Sequence, residues 1–212
     1  MKNDPQQQRQ QRQQGFSLIE IIITLAIFSI VSLVAIDVFL LVSKNQDRFT
    51  SQQTVEDDSR FVITQLTRNI QAGEIDYDFY NAVAEIDIAD ATGRGVLALR
   101  DKAGQQIVYR RASVDPTKPW QGGGQTLEVC FAGCELPGAD WENLTSIEVK
   151  VIDAQFWVHP VVSPWQAESD GSYAVNTQPY VTVMYGVQGK NDSNQENTIQ
   201  LQTTVVSRFY QR

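Results

Sequence analysis

Hydrophobic and polar positions divide the chain into three stretches with different patterns. Residues 1–15 are polar, basic and rich in glutamine, so they carry too little apolar surface to fold. Residues 16–42 form a dense apolar run, long enough for a helix across a bilayer, which takes about 20 residues. The remaining residues mix apolar and polar positions as an ordinary folded domain does. The pattern predicts an unfolded leader, a membrane helix and a globular body.

The helix is predicted to continue beyond the membrane segment. No proline lies between Pro5 and Pro116, so nothing in the sequence breaks it. Between residues 43 and 73 a stripe at helical spacing predicts an amphipathic helix with one face toward a core. We call this set the core stripe: Val55, Ser59, Val62, Leu66 and Ile70. Gly73 is predicted to cap the helix, and a short coiled coil is the alternative use of the stripe.

The pattern changes from helix to strand after residue 73. Segments 95–100 and 106–110 flank a short polar turn, which is typical of a hairpin. Four further segments are rich in valine, isoleucine, tyrosine and threonine and predict strands: 126–131, 146–158, 180–187 and 198–206. The alternation changes parity near Ile152, which predicts a bulge. The residues between these segments, including a glycine triplet at 122–124, are predicted to be loops.

The predicted fold class is therefore α+β, with a long N-terminal helix, transmembrane in its first half, packed on an antiparallel β-sheet. We place four segments along the chain: a leader at 1–15, a membrane helix at 16–42, an amphipathic continuation at 43–73 and a β-rich globular domain at 74–212.

The charge distribution assigns these segments to different compartments. The leader contains four charged residues: Lys2, Asp4, Arg9 and Arg12. Its net charge is +2 and that of the whole chain is −8, so the remaining residues carry −10. A basic flank before an apolar helix stays in the cytoplasm, and the body is therefore predicted to be exported. Nucleic-acid binding needs clustered Lys and Arg, so we expect no nucleic-acid partner.

One carboxylate interrupts the apolar run. Glu20 is the single ionisable residue between residues 16 and 36, and a carboxylate in a membrane segment is costly enough to indicate a function. A secretory signal peptide is shorter and ends in a small-residue cleavage site, and a simple signal anchor leaves Glu20 unexplained. A third interpretation, in which Glu20 reaches the headgroups near the helix start, stays open.

The sequence GFSLIE at positions 15–20 resembles the processing motif of type IV prepilins and type II secretion pseudopilins. The resemblance implies that a membrane peptidase cleaves after Gly15 and N-methylates the new first residue, Phe16. It also implies that Glu20 pairs with the Phe16 amine of a neighbouring subunit. The basic leader and the long apolar helix agree with the motif, which covers residues 1 to about 45.

The resemblance implies a structural subunit of a type IV pilus-like or type II secretion-like filament, with the minor pilin or pseudopilin role preferred. Its implied partners are prepilin peptidase, other pilin or pseudopilin subunits, the inner-membrane assembly platform and membrane lipid. The implied location is a single pass through the cytoplasmic (inner) membrane with the N-terminus in the cytoplasm, or a cell-surface filament. The alternatives are a filament-tip adhesin or ligand-binding module, and a bitopic membrane protein of unknown activity.

The body offers few groups for catalysis or metal binding. It has two cysteines and one histidine, and it lacks the G-x-S-x-G and H-E-x-x-H motifs, so we expect no enzyme, no metal and no cofactor. Export favours a disulfide between Cys130 and Cys134, with free thiols as the alternative. His159, at the end of an apolar strand, is expected to be structural.

Three other groups of side chains leave alternatives open. Residues 191–197 are rich in oxygen ligands and are interpreted as a solvated turn, with calcium binding as the alternative. Four aspartates are expected to face water: Asp76, Asp78, Asp87 and Asp90. Three tryptophans in predicted loops either anchor a partner or cover sheet edges: Trp120, Trp141 and Trp165.

Overall fold

The computed structural model describes residues 15–83, 86–89, 95–115, 120, 122–136, 138–166, 171–173, 175, 177–189 and 198–208. The interpretations of residues 1–14, of 191–197 and of Asp90 concern positions outside this set. The chain divides into two units, Met1–Arg48 and Phe49–Arg212, and the first helix contributes residues to both. The four segment boundaries drawn from the sequence stay predictions.

Two helices and eight strands are present in the part of the chain that the structure describes. In chain order they are α1 (Leu18–Ala72), β1 (Glu74–Ile75), α2 (Tyr77–Ala82), β2 (Val96–Arg100), β3 (Gln106–Ser113), β4 (Gly123–Phe131), β5 (Trp141–Asn143), β6 (Val149–His159), β7 (Tyr180–Gly189) and β8 (Thr198–Val206).

The strands form two antiparallel sheets in which neighbours in sequence are neighbours in space. Sheet 1 has the order β1-β2-β3-β4-β5 and sheet 2 the order β6-β7-β8. The predicted hairpin joins β2 to β3, with Arg100 opposite Gln106. The β6–β7 register shifts between Val151 and Asp153, which confirms the bulge at Ile152. The α+β fold class, with a long N-terminal helix followed by antiparallel sheets, is confirmed.

The core stripe of α1 packs into the core of the second unit. All five of its residues are 1% exposed or less, and the four apolar ones share one cluster with side chains of both sheets. Ser59 tolerates this burial because its hydroxyl donates to the carbonyl of Val55, 2.5 Å away. Since the sheets of the same chain cover the stripe, the stripe packs in the body and not in a coiled coil.

Gly73 ends α1 for a different reason from the predicted cap. Its amide donates to the carbonyl of Asn69 at 2.9 Å, but its backbone is not left-handed. A Cβ at this position would lie 2.7 Å from the carbonyl oxygen of Arg100, in β2. Glycine is therefore needed here because the end of α1 and the sheet approach each other closely.

Two glycines of the triplet, Gly123 and Gly124, belong to a strand and not to the loop predicted at 112–125. Strand β3 runs on to Ser113 and β4 begins at Gly123, with an irregular register between Arg111 and Ser113. A Cβ on Gly124 would lie 2.6 Å from the carbonyl oxygen of Ala112. The two strands meet too closely for a side chain, so the loop prediction is wrong at both of its ends.

Three short elements have no counterpart in the sequence pattern. Strands β1 and β5 have two and three residues, and α2 has six, all too short for a periodicity to show.

Strand β6 begins at Val149, three residues later than predicted, because the preceding segment turns toward α1. There the amide of Ser146 donates to Oδ1 of Asp58 at 2.9 Å.

A disulfide closes the turn after β4. Cys130 and Cys134 are joined, with their Cα atoms 5.8 Å apart, and both are buried. The turn between them uses positive φ angles at Ala132 (72°) and Gly133 (65°). The amide of Cys134 donates to Oε1 of Gln106 at 3.1 Å, which fixes the turn against β3.

The carboxylate of Asp58 lies under sheet 2, and only one of its two oxygens has a hydrogen-bond partner among the described residues. Its Oδ1 accepts from Ser146, whereas its Oδ2 and the nearby hydroxyl of Tyr185 are buried with no hydrogen-bond partner among the described residues. Burial raises the pKa of Asp58, although the Ser146 amide opposes this. Burial also raises the pKa of Tyr185, and the charge of Asp58 raises it further. The fold therefore favours a neutral group at position 58.

We predict that removing the disulfide weakens the body. A five-residue loop closed by a disulfide stabilises by about 2 kcal/mol in the chain-entropy account. The double variant Cys130→Ala/Cys134→Ala should lose about that free energy of unfolding in urea denaturation, and wild type treated with reductant should match it. Reductant should leave the variant unchanged. Non-reducing peptide mapping should show the joined peptides, and quantitative alkylation of both thiols without reductant would contradict the disulfide.

We predict that Asp58→Asn stabilises the body. The amide keeps an oxygen for the Ser146 bond and removes the buried charge, which should raise the free energy of unfolding by about 1 kcal/mol at pH 7. Because burial raises the pKa of Asp58 in the folded state, the wild-type body becomes less stable as pH rises through that pKa. Below about pH 4 the carboxyl is protonated in the folded and the unfolded state, so Asp58→Asn should no longer be more stable than wild type. Urea denaturation in detergent between pH 3.5 and 8 measures it.

Asp57→Asn is the matched control, because Asp57 is the exposed neighbour on the same helix. It should change neither the free energy of unfolding nor its pH dependence beyond the effect of one surface charge. If the free energy of unfolding depends on pH in the same way for Asp58→Asn and for wild type, the charge of Asp58 does not destabilise the body.

Candidate functional site

The segment expected to be processed is open to a peptidase. Gly15, Phe16 and Ser17 precede α1 without regular structure and are exposed, Phe16 by 76%. A Cβ added to Gly15 would meet no heavy atom within 4 Å among the described residues. The peptide bond between Gly15 and Phe16 can therefore enter a protease site in extended form, and the lack of a Cβ at Gly15 helps that entry.

Glu20 lies in the first turn of α1. The carbonyl of Ser17 accepts from the amides of Glu20 (3.0 Å) and Ile21 (3.2 Å), so Ser17 holds the N-cap position and Glu20 is the third helical residue. A carboxylate there faces the positive end of the helix dipole, and Ser-x-x-Glu is the spacing of a capping box. The favourable position of Glu20 toward the helix dipole was not predicted, although the Ser-x-x-Glu spacing is visible in the sequence. Docking to a neighbouring subunit stays a prediction.

The first half of α1 presents apolar side chains on every side. Its large apolar residues are exposed by between 47% at Val42 and 76% at Leu18. So large an apolar surface needs lipid or other helices around it. Among the described residues one helix, α1, is long and apolar enough to cross a membrane, judged by length and composition. It fits a single-pass membrane anchor.

The other predicted site residues lie in the second unit. Cys130 and Cys134 form the disulfide, and His159 ends β6. The imidazole of His159 is exposed and stacks on the ring of Tyr180, with 5.0 Å between ring centres. In the described part of the chain no group of three or more His, Cys, Asp or Glu residues is arranged to hold a metal ion.

A polar cleft of about 750 Å³ lies between α2, the β2–β3 turn and the segment at 161–166. Asp76, expected to face water, is buried here and caps α2 by accepting from the amide of Phe79 at 3.2 Å. Its carboxylate also contacts Nη2 of Arg100 at 3.0 Å and accepts from Gln106 at 3.2 Å. The expectation was wrong for Asp76, because three donors compensate its burial, whereas Asp78 and Asp87 are exposed.

Three of the six charged side chains along the cleft form ion pairs with one another. Arg100 also contacts Asp78 at 3.5 Å, and the hydrogen bond that Arg100 donates to Asp76 raises the pKa of Arg100. Burial raises the pKa of Glu74, opposed by Arg100 and assisted by Asp76 and Asp78. The cleft thus has the size of a small-ligand site, while its charged groups also serve to join α2 to β2.

Two of the three tryptophans cover sheet 1. Trp141 begins β5 and is not in a loop, and the guanidinium of Arg110 lies 3.7 Å from its ring centre. Trp120 packs edge-on against Trp141 and Phe79, at 6.0 and 5.4 Å between ring centres. Arg110 is held in turn by Glu128 at 2.9 Å. These rings protect the sheet, whereas the half-buried Trp165 lines the cleft.

Comparison with known proteins locates the family signal at the N-terminus. A family model described as the prokaryotic N-terminal methylation motif matches residues 10–36. Neither the curated proteins nor the solved structures gave a match. The matched segment contains the open Gly15–Phe16 bond and Glu20, and a long helix follows it. The motif implies processing by prepilin peptidase and assembly with other pilins, and together with the long helix it is consistent with a type IV pilin-like protein.

Proposed function

We propose that this chain is a minor pilin or pseudopilin: a structural subunit of a type IV pilus-like or type II secretion-like filament. Prepilin peptidase cuts it after Gly15 and methylates Phe16, and the first half of α1 then anchors it in the inner membrane until assembly. The observation that carries the proposal is the methylation motif at residues 10–36 on an exposed segment followed by a lipid-compatible helix.

The position of Asp37 supports a membrane segment shorter than the apolar run. Residues 16–36 span about 31 Å at ~1.5 Å per residue, which matches the hydrocarbon core of a bilayer. Asp37 follows immediately and is exposed, so it falls at the headgroup level on the exported side. We propose that residues 38–42 lie at that interface.

The body fits a structural role better than an enzymatic one. Several groups that could serve in catalysis instead stabilise the fold: Asp76 caps a helix, Arg110 binds Glu128, and the cysteines form a disulfide. We therefore propose that the protein has no catalytic activity. Ligand binding at a filament tip is the second candidate, favoured by the cleft, and it ranks lower because Arg100 is already neutralised by Asp76 and Asp78.

We predict that the mature chain begins at N-methylated Phe16. Mass spectrometry of the membrane-extracted protein from a host with a prepilin peptidase should show this residue first. Gly15→Ala should slow cleavage and Gly15→Val should stop it, because a branched side chain obstructs the extended backbone beside the scissile bond. An intact Met1, or a cut after residue 36, would contradict the processing model.

We predict that Glu20→Leu leaves membrane insertion and cleavage near normal and impairs assembly. An apolar helix inserts at least as well without a carboxylate, which costs about 2.5–3.5 kcal/mol at the bilayer centre and less near the interface. In a filament the Phe16 amine would lose its partner, at a cost of about 3–5 kcal/mol. Membrane fractionation and crosslinking to other pilins in the same host measure the two steps separately.

Glu20→Gln is the control that separates pairing from capping. Glutamine also serves a capping box, so it retains the local role and loses the charge. If pairing with the amine matters, Glu20→Gln should assemble less well than wild type and better than Glu20→Leu. If Glu20→Leu crosslinks to other pilins as well as wild type does, Glu20 does not dock subunits. If Glu20→Gln crosslinks as well as wild type but Glu20→Leu does not, Glu20 acts through capping.

A further inference from the structure

Strand β8 is a long free edge of sheet 2. It pairs with β7 over nine consecutive residues without a register shift, from Thr198 opposite Gln188 to Val206 opposite Tyr180. On its other side no strand among the described residues pairs with it. The outer backbone amides and carbonyls of β8 are therefore positioned to bind a further strand.

The sequence of β8 lacks the devices that protect other sheet edges. It contains no charged residue, no proline and no glycine: TIQLQTTVV. The other strands at the ends of the two sheets differ: β1 and β5 have two and three residues, and β6 has a bulge and carries Lys150 and Asp153. Natural sheets use short edges, charges and bulges to avoid unwanted pairing. Among the described edges, β8 alone combines length with neutrality.

The two faces of β8 alternate regularly. Gln200, Gln202 and Thr204 are exposed on the outer face of sheet 2. The residues on the opposite face are buried or half-buried: Ile199, Leu201, Thr203 and Val205. A partner strand must therefore continue a polar face on one side and a largely apolar face on the other.

We propose that β8 is a docking edge for a second copy of this chain, which pairs its own β8 antiparallel about Gln202. In that register Gln202 lies opposite Gln202 of the second copy, and Gln200 lies opposite its Thr204. On the other face Ile199 lies opposite Val205 of the second copy. The pairs at the centre of the exposed face are polar and the Ile199–Val205 pair is β-branched and apolar, while Leu201 and Val206 each lie opposite a threonine of the second copy. The strand is therefore largely complementary to itself.

Charge also favours a copy of β8 as the occupant. The chain beyond the leader carries −10, so two bodies repel each other at long range. Along β8 itself there is no charge, and pairing it with itself leaves no charged side chain facing a like charge. Salt screens the long-range repulsion, so the association should strengthen as ionic strength rises. This pairing does not depend on the proposed filament function.

The register predicts specific disulfide crosslinks in the full-length protein in membranes. Opposed residues in antiparallel strands have Cα atoms about 4.5–5.5 Å apart, within disulfide range. Gln202→Cys should therefore form a covalent dimer under mild oxidation. Val206→Cys and Thr198→Cys should each stay monomeric alone and crosslink when the two variants are co-expressed. The native cysteines are already joined and buried, so they do not interfere.

A charge test separates this edge from dimerisation through the membrane helix. In detergent micelles, Gln200→Lys/Gln202→Lys should lower the dimer association constant at least tenfold, because like charges would face each other. Gln155→Lys, on the same face but on β6, should lower it less than twofold. Retention of the Cys130–Cys134 disulfide and of the far-UV circular dichroism spectrum checks the fold.

Three results would overturn the proposal. One is a protein that stays monomeric at every concentration and salt level. Another is Gln202→Cys crosslinking no better than Val206→Cys alone. The last is a dimer that the lysine pair does not weaken. Processing after Gly15 and the behaviour of Glu20→Leu are measured on separate variants, so the failure of the filament proposal would be recognised independently.

Discussion

The body depends on the packing of the core stripe of α1 against two sheets. Burying an aliphatic side chain of this size contributes about 1.5–3 kcal/mol, and four such side chains of the stripe are almost completely removed from solvent. Two sheets of five and three strands each bury an apolar face in the same cluster. Since each sheet is small, the helix supplies apolar surface that neither could replace alone.

Polar contacts hold the C-terminal end of the core-stripe segment in register with the sheets, and close backbone packing positions its other end. At its C-terminal end the hydroxyl of Ser207 donates to the carbonyl of Gly73 at 2.7 Å, and Asn69 donates to the hydroxyl of Tyr109. Near its other end a Cβ on Gly189 would lie 2.7 Å from Oγ of Ser51, so β7 passes close to the helix there. Such directional contacts select one packing among the many that an apolar stripe permits.

The helix α1 is suited to two environments because its pattern of apolar and polar residues changes along its length. The first part is apolar all round and exposes large side chains, whereas the second part buries one stripe and exposes charged residues such as Glu56, Asp57 and Arg60. A helix apolar on all sides is stable in lipid or among other helices. In our proposal, this chain uses such a segment first as a membrane anchor and then as the contact between subunits.

Features that depend on the spacing of neighbouring residues could be predicted from the sequence. The motif at 15–20, the apolar run, the core stripe, the β2–β3 hairpin and the bulge at Ile152 are all written in neighbouring residues. Periodicity reports which face of an element is buried, and it needs no knowledge of the partner.

Features that depend on contacts between different elements were visible only in the folded structure. Asp76 is buried because Arg100 and Gln106 come from β2 and β3 to meet it. Gly73 and Gly124 are glycines because another strand's carbonyl oxygen occupies the space of a side chain. The division of the strands into two sheets, and with it the free edge at β8, depends on which strands do not pair with each other. Such pairings are set by three-dimensional packing, which no local window of sequence contains.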